Sequence, residues 1–463
     1  MKQAIKEYIG DRAFYRAVLL VTLPIMVQNF ITHFVNMLDN IMVGSLGTEQ
    51  MSAVAIVNQI LFVYNLTIFG AVGGVGIFTA QFYGKGDEDG IRHTLRLKLI
   101  ASVLLTVIGI AVIVLFGDGL ITLFLHQGDY EGDLALTFEL ARQYLAVMVW
   151  QLPFFMLSQC IASTMRETGS TVLPMVAGLA AVAVNFAFNL ILIFGYLGFP
   201  ALGVIGAAIA TVMSRVVEVG VLVVYVMRHL PKFAYCRRLF SRVAVPRALL
   251  VDVLKKGTPL LMNECFWSAG MTLLSISYSL HGIDVVAAYS ITSTVTNLFN
   301  ISFMALGVGA GIMVGNLLGE NRFEEAVSAV KKLLLVSVAV SLTVSVFSIG
   351  MSGFIVRFFK TSDASKALAT YFIRISALFV PMVSIVHTTY FTIRSGGKSF
   401  ITFLFDSVFV CLLQVPLAFA LYYAAGLNIH AIYPIILSCD VIKVVIGLIL
   451  LKKRIWVHNI VQS

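Results

Sequence analysis

Twelve long apolar runs, parted by short breaks rich in charge, Gly or Pro, make up nearly all of this chain. They fall near residues 15–43, 51–79, 94–116, 134–162, 170–194 and 202–228, and again near 250–280, 286–315, 328–350, 367–393, 399–424 and 430–451. About 20 apolar residues cross the ~30 Å hydrocarbon core of a bilayer as a helix. A helix satisfies its own backbone hydrogen bonds, which lipid cannot do for it. The pattern therefore predicts an all-α transmembrane protein of twelve helices. The first run passes well beyond signal-peptide length and has no small-x-small site near its end, so it is expected to remain as the first helix.

The runs also repeat. Pro24 and Pro259 differ by 235, and the same offset aligns Gly47 with Gly282, Gly76 with Gly311 and Gly84 with Gly319. Pro153 and Pro381 differ by 228, as do Arg166 and Arg394, and Gly169 and Gly397. We read two six-helix lobes, residues 1–228 and 250–463, joined by a basic linker, 229–249. Six is even, so the second lobe enters the membrane with the topology of the first. The repeat is then parallel, about a pseudo-twofold axis along the membrane normal. Two such lobes frame a cleft that can open to either side, the geometry of alternating access.

Charge fixes the orientation. The chain is 59% hydrophobic and only 12% charged, with a formal net charge of +9; its mean hydropathy is +0.95. A soluble domain is usually about a quarter charged. The net charge invites a nucleic-acid reading, but 25 of the 32 Lys and Arg lie on one side of the predicted membrane, and the linker alone supplies Arg237, Arg238 and Arg242. The positive-inside rule places both termini and that linker in the cytoplasm, and no nucleic-acid partner is expected. The five cysteines, Cys160, Cys236, Cys265, Cys411 and Cys439, lack CxxC or metal-ligand spacing, so reduced thiols are expected. No histidine falls in a metal-binding spacing and no phosphate-binding G-x-x-x-x-G-K-[ST] occurs. Neither an enzyme of that kind nor a cofactor is expected.

Several segments, in order and in both halves, are similar to the multidrug and toxic compound extrusion (MATE) family. They are PIMVQNFITHFVNMLDNIMVGSLG (24–47), AQFYGKG (80–86) with its counterpart GNLLGE (315–320), and MRETGST (165–171) with IRSGGKS (393–399). VNFAFNLILIFG (184–195) and GAAIAT (206–211) add to them. The resemblance implies a V-shaped bundle of two six-helix lobes in the cell membrane. It implies export of amphipathic organic cations in exchange for Na⁺ or H⁺. A monomer is expected.

A charge at bilayer depth costs at least ~2.5–3.5 kcal/mol, so each needs a partner or a task. Asp39 lies in the outer half of the first helix. Asn185 and Asn189 share a face of the fifth, and Thr211 lies at similar depth in the sixth. One carboxylate with neutral oxygens could hold Na⁺ or a proton, and the resemblance places a cation site on these positions. Many relatives carry Asp where Asn189 stands. Pro24 gives the first helix a place to bend. In the second lobe, Glu264 is the candidate for coupling or substrate attraction, as in some relatives, with Asn263 beside it. Asp406 is a lone acid that could face the second-lobe cavity. Arg215 with Glu218, and Asp440 with Lys443, are spaced to neutralise each other at i,i+3. Two other readings stand beside the exporter. A lipid-linked precursor flippase would need several basic residues for phosphate. A membrane receptor or intramembrane enzyme would, in the enzyme's case, need a clustered set of catalytic residues at one depth.

Overall fold

The computed structural model describes residues 9–124, 133–239, 245–359 and 361–461. Among them run α1 (Arg12–Gly44), α2 (Thr48–Lys85), α3 (Glu88–Phe124), α4 (Leu134–Met148), α5 (Gln151–Glu167), α6 (Val172–Phe194) and α7 (Gly203–Arg228). The second half holds α8 (Arg247–Ser279), α9 (Ile283–Gly319), α10 (Phe323–Val356), α11 (Asp363–Ser395), α12 (Ser399–Tyr423) and α13 (Ile429–Lys452). Ten of these are long and apolar enough to span a bilayer on their own, and the pair α4 and α5 makes an eleventh. The remaining long helix is α8, at 33 residues; Lys255, Lys256, Asn263 and Glu264 dilute its apolar run.

The fourth run is one predicted span and two observed helices, bent by 48°. Pro153 lies in the first turn of α5, the place in a helix where its missing N–H costs least. Pro24, Pro259, Pro381 and Pro434 sit inside unbroken helices. α3 extends past both predicted ends, and at its start the charged residues of the first turns, Arg92 and Arg96, are docked in the protein. Arg92 Nε donates to Tyr235 O at 3.2 Å and Arg96 Nε to Leu239 O at 2.6 Å. The start of the basic linker is thereby folded against α3, with Phe233 and Tyr235 buried.

The helices gather into two compact units. One comprises residues 27–79 and 88–251; the other comprises the chain up to Met26, Ala80–Asp87 and the chain from Asp252 onward. The boundary in α1 falls two residues after Pro24. The first unit is centred on Ala53, Val57, Ile68, Ala141, Leu152 and Ala208. The second is centred on Leu274, Ala288, Phe372, Val410, Ala418 and Tyr433. Outside these centres the polarity is that of a lipid-solvated protein. Leu115 of α3 is 73% exposed, whereas Lys98 of the same helix is 0% exposed. Lipid tails compete equally for apolar surface, so close packing and internal polar bonds must supply the cohesion.

Small residues mark the repeat. Gly169 and Gly397 both adopt positive φ, 77° and 75°, the left-handed turn that favours glycine after a helix. Gly84 lies against the backbone of Asn316, and Gly319 against that of Gln81. Residues 81 and 316 are themselves 235 apart, so the contact is reciprocal, and a Cβ at either glycine would overlap a carbonyl. The chain's last described residues complete this corner of the second unit. Ile460 N donates to Gln81 Oε1 at 2.7 Å, Asn459 Nδ2 to Gly319 O at 3.2 Å, and Trp456 is buried against Gly396.

Candidate functional site

In the first unit, residues from three helices meet around Asp39. α1 presents Asp39, α6 presents Asn185 and Asn189 one turn apart, and α7 presents Thr211. Asn189 Nδ2 donates to Asp39 Oδ1 at 2.5 Å and to Asn185 Oδ1 at 3.2 Å; Asn185 Nδ2 donates to Thr211 Oγ1 at 3.4 Å. Both asparagines are buried, at 4% and 1% exposure. The four residues aligned by depth in the sequence thus form one hydrogen-bonded chain. Its oxygens are hard donors of the kind that suit Na⁺ or a proton. Tyr144 of α4 and Arg215 of α7 lie within electrostatic reach of the carboxylate.

The second unit has a different network. Asn263 Nδ2 donates to Tyr390 OH and to Asp406 Oδ2, each at 3.1 Å, and Ser407 Oγ donates to Asn263 Oδ1 at 2.7 Å. Glu264, beside Asn263, makes no hydrogen bond or ion pair among the described residues; it lies in the field of Arg394 and Asp406. The Asn263 amide beside it is engaged instead with Tyr390, Asp406 and Ser407.

The two i,i+3 pairs also differ. Arg215 Nη1 donates to Glu218 Oε2 at 2.7 Å, closing the pair on its own helix. Lys443 instead bonds Asp406 Oδ1 on α12 at 3.3 Å, and Asp440 Oδ1 accepts from Gln414 Nε2 at 3.2 Å. Asp440 and Lys443 therefore do not bond each other directly, although Lys443 stays within electrostatic reach of Asp440, and the reading of Asp406 as a lone acid is corrected. The repeat explains why. Position 178, the counterpart of Asp406 at offset 228, is a glycine lying beside Gln28, which is the counterpart of Asn263 at offset 235. In the first unit an acid, Glu218, stands in the place of Lys443 and Gly178 in the place of Asp406, so the cross-helix pair has no counterpart.

A third cluster was missed by the sequence reading. Lys98 is fully buried and pairs with Glu167; its Nζ also reaches Ser163 Oγ at 3.1 Å and Thr164 Oγ1 at 3.2 Å. Ser163 Oγ donates to Glu167 Oε1 at 2.6 Å, and Gly76 of α2 leaves room for the carboxylate. Both charges sit near predicted span ends and read as inner-loop residues. Only the full length of α3 and α5 brings them inside.

The Asp39 network is not duplicated. The contact of Asn185 with Thr211 corresponds to that of Gln414 with Ile436, where Gln414 Nε2 donates to Ile436 O at 3.4 Å. That places Gln414 at offset 229 from Asn185, one more than the 228 that relates Gly178 to Asp406. The extra residue falls in the π-helical stretches of α12, Leu404–Val408 and Val410–Gln414, where a single added residue is accommodated. The counterparts of Asp39, Asn189 and Thr211 are then Leu274, Ala418 and Ile436, all buried in the apolar centre of the second unit.

The same duplication emerges from comparison with known proteins. The MatE family model matches residues 24–191 and again 259–420, so both matches start at the paired prolines. A probable multidrug resistance protein NorM of Thermotoga maritima is 23% identical over 413 residues, spanning 88% of this chain and 85% of that protein. A probable multidrug resistance protein YoeA of Bacillus subtilis is 21% identical over 423 residues, spanning 90% and 89%. Among solved structures, the outward-facing conformation of a multidrug resistance MATE family transporter of the MOP superfamily superposes with a TM-score of 0.86 at 19% identity, with 97% of each chain covered. A MOP superfamily transporter from Pyrococcus furiosus gives 0.85 at 20% identity, again over 97% of each chain. With its ten apolar spans, eleven with the bent pair, its internal repeat and both halves matched by one family model, the chain belongs to the MatE family of membrane transporters.

Proposed function

We propose that this protein is a secondary active multidrug exporter, which moves amphipathic organic cations out of the cell in exchange for Na⁺ or H⁺ by alternating access. Asp39 is the coupling group, and Asn185, Asn189 and Thr211 complete its site. The observation that carries this reading is the asymmetry of the repeat. The same helices pack in the second unit with Leu274, Ala418 and Ile436 in place of Asp39, Asn189 and Thr211, so the fold itself does not need that polar chain. A carboxylate placed there against a cost of a few kcal/mol has a task, and ion coupling fits its oxygen donors. When the carboxylate carries H⁺ or Na⁺ its charge is cancelled and the site can close. When it is bare it favours hydration and an open cavity. Coupling follows because the ion binds one state better than the other.

Pro24 serves as hinge in this reading, supported by the unit boundary two residues beyond it. The six-helix lobes 1–228 and 250–463, the inner placement of both termini and of the linker, residence in the plasma membrane, and function as a monomer belong to the same proposal. Glu264 and Asn263 attract or orient the cationic substrate in the second lobe. The mixture of acids with bases in both networks favours this over a flippase for phosphate-bearing lipids.

The test is efflux from proteoliposomes under imposed Na⁺ or proton gradients. Asp39→Asn is expected to abolish gradient-driven export while substrate binding partly survives. An Asp39→Asn protein that builds a substrate gradient at the wild-type rate would end the assignment.

A further inference from the structure

On α7, Thr211, Arg215 and Glu218 follow one another at spacings of four and three residues, so each is about one helical turn, ~5–6 Å, from the next. Thr211 belongs to the Asp39 network through Asn185. Arg215 therefore stands between that network and Glu218. Its Nη1 is held by Glu218 at 2.7 Å, and its guanidinium carbon lies 5.5 Å from the centre of the Phe155 ring on α5. Its Nε is buried and meets no acceptor among the described residues. The Asp39 carboxylate lies within its electrostatic reach. An arginine has five N–H donors on a long rotatable stem. Turning up the helix rather than down would carry the guanidinium toward Asp39.

The second unit contains the same motif in the other arrangement. Asp440 and Lys443 stand at offset 225 from Arg215 and Glu218, with the signs exchanged. There the cation bonds an acid on another helix while staying within electrostatic reach of its helix mate. Lys443 reaches Asp406 on another helix, and Asp440 takes a hydrogen bond from Gln414. A basic residue of this motif is thus seen both closed on its own helix and extended to an acid on a neighbouring one.

We propose that Arg215 is a tethered cation that competes with the coupling ion for Asp39, and that Glu218 is the positioning residue that holds it aside while the ion is bound. The proposal rests on the reading of Asp39 as coupling group. When the ion leaves, the bare carboxylate in a weakly polarisable interior draws the guanidinium up. When the ion returns, Arg215 falls back to Glu218. Neither state leaves a buried charge unpaired, which is the costly condition. The remaining groups facing these residues are compatible with the exchange. Tyr144 lies within electrostatic reach of Asp39 from α4, and Arg166 on α5 lies in the field of Glu167 first and of Glu218 second, so Glu218 keeps a share of a counter-charge when Arg215 departs. The device lets one site release its ion without taking up solvent charge, and it sets the ion concentration at which the exporter works.

The experiment measures how ethidium efflux from proteoliposomes of the full-length protein responds to Na⁺ at fixed pH and to pH at fixed Na⁺. Glu218→Gln frees Arg215 to occupy Asp39 and should raise the half-saturating concentration of the activating ion about tenfold. Arg215→Gln removes the competitor and should lower it by a similar factor, while Arg215→Lys should stay near the wild type. A pair that serves only structure would move both variants the same way, or neither. Either of those results overturns the proposal. The half-saturating concentration does not depend on how much protein folds. For a variant too poor to transport, the rise in melting temperature of the detergent-solubilised protein with ion concentration yields the same constant. Asp39→Asn separates the two levels of the argument. If Asp39→Asn still couples, the coupling assignment falls and this proposal with it. If Asp39→Asn is uncoupled but the pair variants shift together, only the tethered cation is wrong.

Discussion

Lys98→Met gives the most direct measure of what the buried charges do for the fold. The Lys98 side chain is 0% exposed and that of Glu167 11%. All three ammonium protons have partners on α5, in Glu167, Ser163 and Thr164. Removing the lysine leaves the largely buried carboxylate with the Ser163 hydroxyl as its remaining side-chain hydrogen bond among the described residues and Arg166 in its field but not bonded to it. Breaking a buried pair from one side costs about 3–5 kcal/mol, whereas replacing both partners by neutral groups of similar size is often close to neutral. About 4 kcal/mol is roughly a thousandfold in the folded-to-unfolded ratio. Thermal unfolding in detergent, followed by the amount of monodisperse protein that survives heating, should rank Lys98→Met and Glu167→Gln well below the wild type. The double variant Lys98→Met with Glu167→Gln should recover most of the loss. Gly76→Ala approaches the same carboxylate from α2 and should cost far less once Glu167 is alanine, because neighbours in contact couple. A double Lys98/Glu167 variant no more stable than the weaker single would show that these residues act independently and that the argument is wrong.

Three further outcomes are expected. Single cysteines at positions 237 and 129 should label from the cytoplasmic and external sides respectively, position 129 lying outside the described residues; the reverse pattern would end the topology. Glu264→Gln should impair export while the protein remains folded, because this carboxylate has no hydrogen-bond partner among the described residues to lose; normal efflux by a well-expressed variant would make it a structural residue. Trp456→Ala should destabilise the protein by about 3–5 kcal/mol, since the ring is 1% exposed and its segment is bonded to Gln81 and Gly319; an unchanged melting temperature would refute a structural role for the tail.

The apolar pattern revealed the helices because in lipid every spanning backbone must satisfy itself, so length and hydrophobicity carry the signal. The bend between α4 and α5 escaped it because the apolar run continues through the break, and Pro153 alone does not say whether a helix kinks or restarts. The Asp39 group was legible through depth: three helices of known direction place Asp39, Asn185, Asn189 and Thr211 at one level. Partners were less legible than levels. Lys443 has Asp440 in helical register, yet it bonds Asp406, which lies 37 residues away in sequence. No spacing rule indicates which of two acids a flexible ammonium will choose. Lys98 and Glu167 were hidden for a related reason, since charges at a span's edge read as loop charges until the full helix length is known.

The two halves show what the fold requires and what it merely permits. The paired glycines at 169 and 397, and at 84 and 319, recur because turns and close backbone approach leave no space for a side chain in either half. The membrane acids of the two networks, Asp39 and Asp406, do not recur. Where the first half places Asp39, Asn189 and Thr211, the second places Leu274, Ala418 and Ile436. Where the second places Asp406, the first has Gly178. The same helix packing thus accommodates either set of residues, and each network carries the energetic cost of burying charge in a bilayer. In the first half Asp39 accepts from the Asn189 amide, which leads on to Asn185 and Thr211, and Arg215 lies within electrostatic reach. In the second, Asp406 is met by the fixed ammonium of Lys443, at 3.3 Å. A carboxylate already neutralised by its own protein has less use for a mobile ion. That difference supports the proposal that ion exchange belongs to the first lobe, with Glu264, a membrane-depth acid that makes no hydrogen bond or ion pair among the described residues, proposed to meet the cationic substrate.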